Sequence, residues 1–296
     1  MKPAAFEYSR PRDLDEACAM LSAEGDDARL IAGGQTLVPL MAMRLARPKR
    51  LIDIARIGEL AYVRSEGDAV AIGAATRQCV IERDAIVCAE VPLLARVMPF
   101  VGHAPIRARG TIGGSLANAD PAAEIALVAV TLGATISYRD GRTSGELAAA
   151  DFFIGPMSTA LSPTACLTAV HFPVWRGVRV GVGFHEVNAR RSDFAFASAA
   201  AQIAVDEAGM CTRLALGIGA VTAVPRRLHA LEMMLRGSRA EESRVRETVA
   251  AVLSDIDPLS DLHASADYRR RAAATLLTRA IADSWREAHR QSAHAR

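Results

Sequence analysis

The sequence predicts an α+β chain of three successive units. Helical and strand patterns alternate along the 296 residues. Two Gly-Gly steps eighty residues apart, Gly33-Gly34 and Gly113-Gly114, punctuate that alternation. A Gly- and Val-rich stretch at 173–183 then introduces a last third with long uncharged strand patterns. Hydrophobic residues make up 51% and charged residues 23%, an ordinary globular balance that excludes a disordered chain. A net charge of +2 is too small to argue for a nucleic-acid partner.

The first unit spans 1–55. Asp13 is placed to cap a helix, with Glu16 three residues on in a capping-box-like start. Leu14, Ala17, Cys18 and Leu21 fall on one helical face. A short buried strand at 29–31 runs into the first Gly-Gly turn, a helix continues to Pro48, and Leu51-Ile52-Asp53-Ile54 is a strand. The turn thus sits at a strand-to-helix corner, where backbone donors favour an anion.

The second unit spans 56–176. Ala61-Tyr62-Val63-Arg64 and Ala69-Val70-Ala71-Ile72 flank Ser65-Glu66-Gly67-Asp68 as a hairpin. A longer helical region is expected over 76–101, then the second Gly-Gly turn, then a buried helix begun by Pro121. Strands at 134–138 and 166–172 close the unit. The third unit, 177–290, shows strand patterns at 180–187, 194–205 and 212–219, as strands lying under a layer of helices do. Helices follow at 225–236, 240–254 and 265–288, the last burying Tyr268, Ala272, Leu276, Leu277, Ala280 and Ile281. The basic runs Arg226-Arg227 and Arg269-Arg270-Arg271 are read as solvated helix faces.

The chemistry is narrowed mainly by what is missing. The five cysteines, Cys18, Cys79, Cys88, Cys166 and Cys211, have no spacing suited to zinc or an iron–sulfur cluster and read as buried free thiols in a reducing compartment. The seven histidines lack metal-ligand spacing. There is no nucleophile elbow, no H-E-x-x-H, no P-loop and no G-x-G-x-x-G after a strand. Neither catalytic nor metal-ligating residues are therefore assigned. No signal-peptide core and no apolar run of membrane-spanning length is present, so the expectation is a cytoplasmic protein with no nucleic-acid partner and no membrane span. What remains is the pair of glycine segments. Gly-Gly steps let backbone N–H groups approach a ligand, and N–H groups turned into a concavity bind anions. Two such nests suit a diphosphate, hence a dinucleotide held outside a Rossmann fold.

These segments, Gly33-Gly34-Gln35-Thr36-Leu37-Val38-Pro39-Leu40-Met41 and Arg109-Gly110-Thr111-Ile112-Gly113-Gly114-Ser115-Leu116-Ala117, resemble the FAD-binding medium subunit of the molybdenum hydroxylases, the xanthine dehydrogenase and carbon monoxide dehydrogenase family. Arg47-Pro48 before Leu51-Ile52-Asp53-Ile54, Ile106-Arg107, the stretch 152–156 with Thr159-Ala160-Leu161, Phe184-His185-Glu186-Val187, Asp193-Phe194-Ala195 and Ala266-Asp267-Tyr268-Arg269-Arg270 extend the resemblance along most of the chain. It implies a two-lobed FAD-binding domain of the PCMH/VAO type, lobes 1–55 and 56–176, followed by a smaller C-terminal α/β domain of the CO dehydrogenase flavoprotein type at 177–290. Carried over residue by residue, Ala32, Gly33, Gly34, Gln35, Thr36 and Leu37 form one FAD contact loop. Thr111, Ile112, Gly113, Gly114 and Ser115 form the second. Asn118 stands where relatives often have histidine and is kept as a contact. Glu124 takes the place of an acidic residue that in relatives accepts bonds from the flavin or its ribityl, and Leu167 of an apolar residue at the adenine end. Ala165 and Ala189 depart from the family's glutamate and arginine. The resemblance further implies an electron-transfer role, with [2Fe-2S] clusters on a small partner subunit and a molybdopterin cofactor on a large one, in a heterotrimer that doubles to a hexamer. A stand-alone flavoprotein oxidase and a flavin-free scaffold remain as alternatives.

Overall fold

The computed structural model describes residues 2–176 and 179–290. Its first unit is a three-stranded parallel sheet with Arg50–Asp53 between Glu7–Ser9 and Ala28–Ile31. Parallel neighbours need crossovers, which the helices Leu14–Glu24 and Leu37–Ala42 supply. The Asp13 carboxylate accepts from Glu16 N, and the Glu16 carboxylate reaches back to accept from Arg12 N, one residue before the expected partner. The second helix stops at Ala42, short of Pro48, because Arg44 adopts φ 60° and turns the chain out of the helix.

The second unit is an antiparallel sheet in the order Val63–Glu66, Ala69–Gly73, Ala165–Pro173, Thr135–Asp140, Thr143–Ala148. Its last strand is an edge with few buried positions, so it lacks the apolar alternation that would reveal it in sequence. The expected helix over 76–101 is four short pieces, Gln78–Ile81, Ala85–Glu90, Pro92–Val97 and the 3-10 turn Met98–Phe100. Asp84 breaks the run by capping the second piece, and Pro92 starts the third. Pro121 does not open a helix. The Asp120 carboxylate accepts from Ala122 N, which holds the segment in a turn, and the helix begins at Glu124. The second Gly-Gly segment is likewise no turn: both glycines lie in the helix Ile112–Asn118.

The third unit is an antiparallel sheet in the order Arg179–Val187, Ala197–Val205, Cys211–Gly219, Arg226–Arg227. One face packs against the long helix Ala266–Arg290 and the helix His229–Leu235, on which the helix Glu242–Ser254 packs in turn; the other packs against the second unit's helices Glu124–Leu132 and Pro92–Val97. Strand Ala197–Val205 is consequently buried at every position, which is why its pattern is continuous rather than alternating. Val182, Phe184, Ala200, Ala204 and Ala215 join the core of the second unit. Gly181 and Gly183 let the long helix approach closely, since a Cβ at either would strike the Ser284 or Ala280 carbonyl.

Two readings are corrected here. Arg226–Arg227 forms a strand, and Arg227 Nε bonds Glu232 at 2.8 Å. Arg269 is 4% exposed and donates to Phe196 O, Ala220 O and Asp261, each at 2.6 Å. It takes the buried position expected of Tyr268, which is exposed. Among the thiols, Cys18, Cys166 and Cys211 are buried, whereas Cys79 is half-buried and Cys88 exposed. Burial pushes Cys166 up to about 12 and Cys211 to about 11. Trp175 lies under the Arg213 guanidinium at 4.2 Å, and Trp285 Nε1 donates to Gly209 O, so both serve packing.

Candidate functional site

A cleft of about 1100 Å³ opens between the first and second units, with Ser192, Asp193 and Phe194 of the third unit on its wall. It is slightly larger than the usual range of small-ligand sites, about 300–1,000 Å³. The first glycine segment leaves the end of strand Ala28–Ile31. Gly34, at φ 69°, makes the corner, and Gln35 Nε2 closes it by donating to Gly33 O at 2.9 Å. The first helical bond runs from Val38 N to Gly34 O. The N–H groups of Gly33, Gly34, Gln35, Thr36 and Leu37 donate to nothing in the described chain. Five consecutive open donors beside a cleft fit a diphosphate by charge and by hydrogen bonding.

The second segment is built differently. Ile112 N donates to Thr76 O, Gly113 N to Ala74 O at 2.9 Å, Gly114 N to Thr111 Oγ1 at 3.0 Å and Ser115 N to Thr111 O. Its donors are spent inside the protein, so the expectation of two equivalent nests is corrected to one open cradle and one packed platform. Glycine is required there for proximity: a Cβ on Gly113 would lie 2.5 Å from Ala74 Cβ and 2.7 Å from Ala74 O. The two segments do meet. A Cβ on Gly33 would strike Arg109 O and lie 2.7 Å from Gly110 Cα.

Of the residues singled out from sequence, Ala32, Gly33, Gly34, Gln35, Thr36, Leu37, Thr111, Gly113, Gly114, Ser115, Asn118, Glu124 and Leu167 all line this cleft. Ile112 does not; its side chain is wholly buried in the core. Leu167 lines the wall beside Cys166. Asn118 Nδ2 has only a distant contact with Met157 Sδ at 3.9 Å, so it is available to a ligand. Burial pushes the Glu124 carboxyl up to about 8, with Glu186 and Asp120 adding repulsion. Sequence reasoning did not place residues 192–194 in the site. The available signal was the Asp193-Phe194-Ala195 segment of the resemblance, whose Phe194 is 72% exposed in the structure. Among the described residues no group of three or more His, Cys, Asp or Glu could hold a metal ion. The arrangement can grip and orient a large anionic ligand.

Comparison with known proteins agrees with this geometry. Residues 4–175 match the family described as FAD binding domain in molybdopterin dehydrogenase, and residues 183–284 match the CO dehydrogenase flavoprotein C-terminal domain. The chain is 36% identical over 284 residues to the caffeine dehydrogenase subunit beta of Pseudomonas sp., covering 95% of each. Among solved structures it is similar to the carbon monoxide dehydrogenase of Hydrogenophaga pseudoflava, with a TM-score of 0.92 at 31% identity over 97% of this chain and 99% of that one. Quinoline 2-oxidoreductase from Pseudomonas putida gives 0.92 at 32% identity, over 98% and 100%. No helix among the described residues is long and apolar enough to cross a membrane.

Proposed function

This chain belongs to the FAD-binding medium subunits of the molybdenum hydroxylases, a family of oxidoreductases, and on that premise we propose that it is the electron-exit subunit of its complex. FAD, the family's cofactor on this chain, takes up electrons singly and releases them in pairs, chemistry that the protein only has to hold and tune. The chain's own residues divide that task. The N–H groups of residues 33–37 hold the diphosphate. Thr111, Ser115 and Asn118 face the ribityl, and Leu167 packs at the adenine end. The lobe boundaries at 55 and 176 follow the same reading. Electrons come from [2Fe-2S] clusters on a small partner subunit, which receives them from a large subunit carrying the molybdenum cofactor. The three chains form a cytoplasmic heterotrimer, doubled to a hexamer.

The observation that carries this reading is the row of five unpaired N–H groups on the cleft wall. The test compares the purified complex with the isolated chain. Expected are about one FAD per chain, iron and molybdenum that co-elute with it, and flavin bleaching by an oxidisable heterocycle only in the complex. Bleaching of the isolated chain's flavin by the same compound identifies a stand-alone oxidase instead. Colourless protein identifies a scaffold.

A further inference from the structure

Residues 37–46, which leave the open cradle, carry no polar side chain except Arg44. A run of that composition ordinarily goes into a core. Here it does not. Met41 is the only buried residue of the helix Leu37–Ala42, and none of residues 37–46 joins any of the three hydrophobic cores among the described residues. Val38 is 50% exposed, Met43 47% and Leu45 73%. Arg44, at φ 60°, turns the chain back, and Leu45 N and Ala46 N both donate to Leu40 O, at 2.9 and 3.3 Å. The exposed apolar side chains therefore stand on a hydrogen-bonded turn.

The charge beside this face is of one sign. Arg44 Nε donates to Lys2 O and Arg47 Nε to Arg44 O, and among the described residues neither guanidinium meets a carboxylate. The cations that follow do pair, Lys49 with Asp27 and Arg50 with Glu7 and Glu24. No acidic residue lies between Asp27 and Asp53. An apolar face bordered by unanswered charge is the surface of a protein contact. A second copy of this chain is a poor occupant, because a two-fold contact sets the face against itself and it has no carboxylate to offer Arg44 or Arg47. The face is also continuous with the cofactor cleft. Leu37 supplies the last open donor of the cradle, Val38 N donates to Gly34 O, and a Cβ on Gly34 would lie 3.1 Å from Val38 Cγ2. A chain seated here borders the cleft. Electron transfer slows steeply with distance, so the subunit that hands electrons to the cofactor gains from this position, and a subunit one step further back does not.

We propose that the apolar face of residues 38–45 is the seat of the iron–sulfur partner subunit, which meets it with an apolar surface bordered by carboxylates placed for Arg44 and Arg47. The inference rests on the electron-exit reading and adds to it the surface through which electrons enter. Val38, Met43 and Leu45 form the desolvated centre of the contact. Met43, unbranched and adaptable, fits itself to the partner. The two guanidiniums steer the encounter and fix its register more than they add affinity.

The test co-expresses the three chains of the complex with Met43→Asp and Leu45→Asp combined in this one, and reads the purified product by gel filtration with iron, molybdenum and flavin analysis. The double variant should bind the iron–sulfur subunit at least about tenfold more weakly and shed iron. It should keep its FAD and its melting temperature, because both side chains stand largely in solvent. Flavin bleaching by an oxidisable heterocycle should disappear with the iron. Arg44→Glu combined with Arg47→Glu should slow assembly and flatten its dependence on salt. If the double aspartate variant fails to fold, amide hydrogen exchange of the wild-type chain decides: residues 40–46 should exchange more slowly in the complex than in the isolated chain. Unchanged iron content, loss of molybdenum alone, loss only of self-association, or exchange at 40–46 indifferent to the complex overturns the inference while leaving the electron-exit reading intact. A wild-type chain that joins no iron–sulfur subunit at all overturns the electron-exit reading itself.

Discussion

Gly113→Val should remove flavin retention. The added side chain has nowhere to go. Its Cβ alone would sit 2.5 Å from Ala74 Cβ and 2.7 Å from Ala74 O, against backbone that Gly113 N already bonds. The helix Ile112–Asn118 must move off the end of strand Ala69–Gly73, and it carries Thr111, Ser115 and Asn118 away from the cleft. Overpacking of this kind costs about 1–3 kcal/mol in stability. A displaced wall should cost at least about tenfold in FAD affinity, or roughly 1.4 kcal/mol. The core between the third sheet and the helices Glu242–Ser254 and Ala266–Arg290 does not include this region, so the variant should keep most of its helical circular dichroism. Gly58→Ala is the control, because its Cβ meets nothing within 4 Å. The ratio of flavin to protein absorbance after gel filtration, together with the melting temperature, reads both effects.

Arg269→Ala should be the most destabilising substitution in the third unit. The guanidinium ties the Phe196 and Ala220 carbonyls to Asp261, joining the start of strand Ala197–Val205, the end of strand Cys211–Gly219 and the loop before the long helix. Truncation leaves two carbonyls without their donor, at about 1–3 kcal/mol each. A loss of roughly 2–5 kcal/mol is expected in a urea or thermal melt. Arg269→Lys should recover only part of it, because an ammonium lacks the planar fork that serves three acceptors at once. A change within about 0.5 kcal/mol for the alanine variant, the range of an ordinary surface site, would show that the buried fork contributes nothing.

The legible parts of this chain were those whose physics is local. Asp13 as a cap, the hairpin around Gly67 and the three long strands of the third unit follow from spacing alone. The edge strand Thr143–Ala148 was not legible, because a strand that buries little shows no alternation. Neither was the helical state of Gly113 and Gly114, since two adjacent glycines carry a low helix propensity that only the approach to Ala74 explains. Arg269 misled for a related reason: a run of three arginines looks solvated until the chain returns to bury one of them. In the site, the identity of the wall residues was readable, but the use of their hydrogen bonds was not. Whether an N–H is open, as in residues 33–37, or spent, as at Gly113, depends on Ala74 and Thr76, more than thirty residues away.

Amide resonances of residues 33–37, followed in the isotope-labelled full chain as FAD is added, probe the open cradle most directly. The account predicts that these five shift strongly and slow their exchange with solvent, as donors do when they gain acceptors. The amides of Gly113 and Gly114, already bonded, should be protected beforehand and move less. If FAD binds while those five amides stay unchanged, the diphosphate lies elsewhere and the cradle has been misidentified.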